Sequence, residues 1–90
     1  MNEAIKEVLK LLLHKHIIGH KHFPEDLLIK NRIRHLPRYE QREFYEEYFT
    51  LVNKGYFWRL KKRTGKGTEW HISLNPEYLH EIIEIIGELE

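Results

Sequence analysis

The 90-residue chain predicts a mainly α-helical domain that carries one β-hairpin and ends in a further helix. Three observations predict it. Apolar residues recur at helical spacing through about residue 54. The period then switches to two on either side of Thr64-Gly65-Lys66-Gly67, which is turn chemistry. After Asn75-Pro76 the helical period returns. Ninety residues make a single domain, 1–90, and no internal repeat or low-complexity linker divides it.

The first helix is expected over residues 2–16. Asn2 suits the N-cap, and Glu3 falls in the first turn, where the helix dipole favours an acid. Ile5, Val8, Leu9, Leu12 and His16 recur on one side, and Ala4, Leu11 and Leu13 widen the apolar arc. Gly19 ends this helix or begins a short extended piece through Lys21-His22-Phe23. Phe23-Pro24-Glu25-Asp26 starts a second helix over 24–34, with proline at the first helical position and two acids behind it. Leu27, Leu28 and Ile33 are its expected buried residues, and Pro37 stops it.

A third, longer helix is expected over 38–54, with Phe44, Tyr45, Tyr48, Leu51 and Val52 on its inner side. Tyr39, Arg42, Glu43, Glu46, Thr50 and Asn53 take the outer side, and Gly55 supplies a left-handed cap. The hairpin spans 56–74. Tyr56, Trp58 and Leu60 alternate on one face, as do Trp70, Ile72 and Leu74. Pairing Leu60 with Trp70 and Trp58 with Ile72 buries one face, sets Lys61 opposite Glu69, and leaves Arg59, Lys61 and Arg63 outward. The last helix, 76–89, has Asn75 as N-cap and an apolar stripe of Leu79, Ile82, Ile83, Ile86 and Leu89. Tyr78 and Ile85 broaden that stripe, and Glu77, Glu81, Glu84 and Glu88 form its wet face.

Charge is distributed unevenly. The net charge is only +1, but residues 56–68 hold five Lys/Arg and no acid, whereas 69–90 hold six acids and no Lys/Arg. Such a polarised chain suits a polyanion at its basic end. The absence of cysteine excludes disulfides, thiol catalysis and Cys-ligated zinc. No apolar run exceeds three residues, as at Leu11-Leu12-Leu13, so no membrane segment is expected. A soluble, cytoplasmic protein follows as the default, and a Lys-, Glu- and Ile-rich mix with one Gln and one Ala leans toward a heat-loving source.

The order helix, short extended piece, helix, longer helix, hairpin, helix resembles the winged helix-turn-helix family of DNA-binding domains. The sharpest local likeness is Leu51-Val52-Asn53-Lys54-Gly55-Tyr56-Phe57-Trp58-Arg59, where a Leu-bearing turn leads through Lys-Gly-aromatic into the first wing strand. The resemblance covers about residues 2–75 and leaves 76–90 as an added helix. It implies double-stranded DNA as partner, with the third helix in the major groove and the wing on the backbone. Carried over by position, the groove helix offers Arg38, Tyr39, Gln41 and Arg42, and the wing offers Arg59, Lys61, Lys62, Arg63 and Lys66. Arg42 is the best candidate to read guanine, and Gln41 to read adenine. Glu40, Glu43, Glu46 and Glu47 oppose this use of the helix, and some members of the family bind protein instead.

Other chemistry finds less support. His14, His16, His20 and His22 give H-x-H-x3-H-x-H, a pattern open to a metal or pH sensor. Gly19 interrupts the helical i, i+4 spacing of His16 and His20, and no acid or cysteine completes a ligand set, so no metal or other cofactor is expected. The single serine, Ser73, lies in a strand with no base beside it in sequence, and no phosphate loop or paired-acid motif occurs, so no catalytic residue is assigned. The broad apolar arcs of the first and last helices predict a homodimer through those two helices.

Overall fold

The computed structural model describes residues 2–87 and contains four α-helices and a three-stranded antiparallel sheet. The order is α1 (Glu3–His14), β1 (Phe23–Pro24), α2 (Glu25–Ile33), α3 (Arg38–Lys54), β2 (Phe57–Thr64), β3 (Gly67–Leu74), a 3-10 turn (Pro76–Tyr78) and α4 (Leu79–Gly87). The sheet order is β1-β3-β2. Leu89 and Glu88, expected in the last helix, lie outside the described residues. No helix among the described residues is long and apolar enough to cross a membrane.

Local signals place the helix ends. The Asn2 side chain accepts a hydrogen bond from the Ala4 N–H at 2.7 Å, and the Asn2 N–H donates to both Glu47 carboxylate oxygens at 3.1 and 3.2 Å. One residue thereby caps α1 and ties it to α3. The helix ends at His14, short of residue 16, because His16 turns left-handed (φ 56°) and the Ile17 N–H closes back on the Leu12 carbonyl. Pro24 stands in β1 and at the N-cap of α2, one residue before the first helical position expected for it. Gly55 caps α3 with φ 92°, and a Cβ there would sit 3.2 Å from the Tyr78 ring, so both backbone angle and space require glycine.

The core gathers Ile5, Val8, Leu9 and Leu12 of α1, Leu28, Ile29 and Ile33 of α2, and Phe44, Tyr48 and Leu51 of α3 over the inner face of the sheet. Ile82 of α4 closes it from the far side of α1. Three helical residues expected inside it are outside. Leu27 is 61% exposed, because Leu28, Ile29 and Ile33 define the inward side of α2 and Leu27 falls between turns. Tyr45 is exposed on α3, and Ile83 is exposed on α4.

The hairpin register differs from the expected one by a single residue. Phe57 pairs with Leu74, Trp58 with Ser73, Arg59 with Ile72, Leu60 with His71, Lys61 with Trp70, and Lys62 with Glu69. Thr64 pairs with Gly67, leaving a two-residue loop, Gly65-Lys66, of the length that best matches strand twist. Because side chains alternate, the slip turns every side chain of β2 over. Phe57 enters the core, and Arg59 and Lys61 share its face. Trp58 and Leu60 move to the outer face, each 38% exposed, and Trp70 is exposed as well. The expected aromatic hairpin core is therefore replaced by Phe57, Ile72 and Leu74.

Candidate nucleic-acid interface

The slip brings Arg59 inward, against the outward position expected for it. Its Nε donates to Glu25 Oε2 at 2.6 Å and its Nη2 to Oε1 at 3.0 Å, a bidentate pair between the start of α2 and β2. The Tyr48 hydroxyl of α3 donates to the same Oε2 at 2.7 Å. Glu25 is only 7% exposed, so its charge is held by two side chains rather than by water. Burial, reinforced by the bond to Glu25, pushes the Tyr48 hydroxyl well above the ordinary tyrosine value. The bond to Glu25 likewise raises Arg59. Among the described residues, no buried side-chain nitrogen or oxygen lacks a partner.

The Arg59 guanidinium also lies between aromatic rings. Its Cζ is 3.8 Å from the Trp70 ring centroid and 5.1 Å from that of Phe49 on α3. Phe49 stacks on Tyr45, with centroids 6.2 Å apart and an interplanar angle of 22°. Burial raises the Tyr45 hydroxyl, with Asp26 and Glu25 adding to the effect. Lys61 reaches over Trp70 at 5.2 Å.

Helical spacing then divides α3 into two surfaces. Arg38, Arg42, Tyr45 and Phe49 follow one another at i, i+4, i+7 and i+11 and share one stripe, all exposed. That stripe meets the hairpin at Arg59 and Trp70. The acids take a different side. Glu43, Glu46, Glu47 and Thr50 line an open cleft of about 460 Å³ with Asn2 of the α1 cap. Glu40 and Glu43 line a second, of about 490 Å³, with Glu3, Glu7, Arg32 and His35. The helix that totals −1 thus turns Glu40, Glu43 and Glu47 toward α1 and Arg38 and Arg42 toward the stripe, with Glu46, one turn after Arg42, between the two.

The expected site residues separate accordingly. Arg38 and Arg42 lie on the stripe. Tyr39 lines the cleft between α1, α2 and α3, away from it. Gln41 donates from Nε2 to the Leu36 carbonyl at 3.0 Å and closes the loop before α3. Lys61, Lys62, Arg63 and Lys66 are exposed on the outer half of the hairpin. Lys61 shares the Arg59 face, and Lys62 takes the other, across from Glu69. Helical and strand spacing alone places Tyr45 and Trp70 in the core. Trp70 keeps the Ile72–Leu74 face in either register and is exposed because it lies in the outer half of the hairpin, where every residue from Leu60 to Trp70 is exposed.

The four clustered histidines do not converge. His14 ends α1, His16 is the left-handed residue and His20 is exposed. His22 turns instead to His71 of β3, with their Nδ1 atoms 2.7 Å apart and their rings edge to face. His71 Nε2 lies 2.8 Å from Glu69 Oε1. A carboxylate can only accept here, so His71 Nε2 carries the proton that bonds Glu69, and one proton is shared between the two Nδ1 atoms. Burial, His71 and Lys62 together lower the His22 imidazole below its ordinary value. Among the described residues, no group of three or more His, Cys, Asp or Glu is arranged to hold a metal ion.

No family model, no curated protein and no solved structure matches the chain.

Proposed function

We propose that the chain is a winged helix-turn-helix domain that binds double-stranded DNA as a transcriptional regulator. α3 lies in the major groove on its Arg38–Arg42 side, and the hairpin tip lies on the phosphate backbone. The observation that carries this reading is the division of α3. Glu40, Glu43 and Glu47 face the α1 side, while Arg38 and Arg42 share a stripe that runs to the hairpin; Glu46, one turn after Arg42, borders both. Four exposed cations on the hairpin, Lys61, Lys62, Arg63 and Lys66, supply the sequence-independent part of the affinity by releasing counterions. Arg42 reads a base edge. Arg59 is engaged by Glu25 and belongs to the frame rather than to the DNA contact.

A titration of random-sequence duplex at two ionic strengths tests this. With four phosphates neutralised, raising salt from about 50 to 200 mM lowers affinity on the order of 100-fold. Lys61→Glu with Arg63→Glu abolishes binding at the lower salt. Binding that ignores both salt and these substitutions overturns the reading and favours a protein partner.

The proposal includes a two-fold dimer through α1 and α4, which would place two such surfaces on half-sites one helical turn apart. Within one chain α1 and α4 already pack together, and Ile83, 48% exposed, is the apolar surface α4 leaves open. Light scattering at several concentrations distinguishes the dimer from a persistent 11.1 kDa species.

A further inference from the structure

Tyr45, Phe49 and Trp70 are 36%, 39% and 38% exposed; Arg59 borders Phe49 and Trp70, Lys61 borders Trp70, and the acids Asp26 and Glu25 lie near Tyr45. Single exposed aromatics are ordinary on a protein surface. These three form one run, because the Arg59 guanidinium bridges Phe49 on the helix to Trp70 on the hairpin. The bridge is fixed. Glu25 takes the Nε and one Nη2 donor, and the Trp70 and Phe49 rings pack against the guanidinium, so Arg59 orders the run rather than serving as a phosphate ligand. Arg42 lies one turn before Tyr45 on the same stripe, and Lys61 hangs over Trp70, so a cation stands at each end of the run.

A continuous duplex has little use for such a surface. Its grooves show base edges, and its ring faces are hidden in the stack. Unpaired bases do offer ring faces, and aromatic side chains flanked by cations bind them with little regard for sequence. Resting on the DNA-binding reading above, we propose that the run from Tyr45 to Trp70 stacks on unpaired bases. The preferred target is then duplex DNA that continues into a single-stranded tail, with the duplex on Arg42 and the hairpin cations and the tail along the exposed run from Tyr45 to Trp70.

The test compares a blunt duplex with the same duplex carrying a thymidine tail. It uses a Trp58→Phe background, since Trp58 sits on the opposite face of the sheet and Trp70 then becomes the sole tryptophan. The tailed probe binds about tenfold or more tighter than the blunt one and quenches Trp70 emission. Trp70→Ala removes that preference and leaves blunt-duplex affinity unchanged. Because Trp70→Ala also strips the ring from Arg59, Phe49→Ala, at an exposed helical position, repeats the measurement. Circular dichroism confirms that each variant is folded. Equal, salt-sensitive affinity for both probes with unchanged Trp70 emission overturns the stacking inference and leaves duplex binding standing. A tail preference that survives both aromatic substitutions also overturns it. Failure to bind either probe removes both readings.

Discussion

The two halves of the hairpin carry the same kind of residue to opposite ends. At its base, Arg59 is four-fifths buried and held by a carboxylate and two aromatic rings. Toward its tip, Lys61, Lys62, Arg63 and Lys66 are all exposed. Only two positions along one strand separate Arg59 from Lys61. The difference is what lies beneath them: α2 begins under the base and places Glu25 there, while every residue from Leu60 to Trp70 is exposed. A run of cations read as one patch therefore has two parts. One is a buried pair whose loss costs the fold, and the other is a set of solvated charges that cost the fold almost nothing.

Substitution separates the two parts. Glu25→Ala leaves Arg59 largely buried without its counterion and Tyr48 without an acceptor, and lowers stability by about 3 kcal/mol in urea unfolding. Lys61→Glu with Arg63→Glu, the pair proposed to abolish DNA binding, changes stability by only about 0.5 kcal/mol or less in the same assay. Equal losses in the two variants would erase the distinction. Tyr48→Phe keeps the bidentate pair and removes one hydrogen bond to it, costing about 1 kcal/mol. Its unfolding midpoint falls between those of the native chain and Glu25→Ala.

The smallest effect lies on the outer face of the base. The folded state holds His22 below its ordinary value, so the unfolded chain takes up that proton first as pH falls. The stability this contributes is present above about pH 6.5, the unfolded value, and is lost as the pH drops below it. Thermal melting from pH 7.5 down to pH 5 reads this as a declining midpoint, and His22→Phe flattens the slope. A midpoint that rises on acidification in the native chain would reverse the assignment.

The helices were legible in the sequence because their signals are local. Asn2, Gly55, Asn75 and the prolines mark ends within one turn of where the chain bends. The hairpin was half legible. Its strands and turn follow from composition and alternation, but its register depends on two facts that alternation does not contain. One is that Phe57 fits the space above Tyr48, with ring centroids 5.1 Å apart. The other is that Glu25, 34 residues away, accepts an arginine turned inward. Burying Trp58 and Leu60 satisfies alternation better, and a charged residue on the core face is tolerated only because a distant carboxylate pairs with it. The same long-range fact hid the candidate site, since Tyr45 and Trp70 read as core by spacing alone. The histidine cluster misled for the converse reason: His22 is close to its neighbours in sequence but finds His71, 49 residues on.

The short β1 strand has a mechanical consequence. It touches β3 only at Ile72 and His71, so the third strand stops there, and past Trp70 the hairpin continues as an unsupported ribbon of two strands. Two-stranded ribbons twist more than wider sheets. The distal segment can therefore coil to follow a curved target, while its anchorage over α2 stays still. Compliance and rigidity meet within a few ångströms, and the guanidinium clamp marks where one gives way to the other.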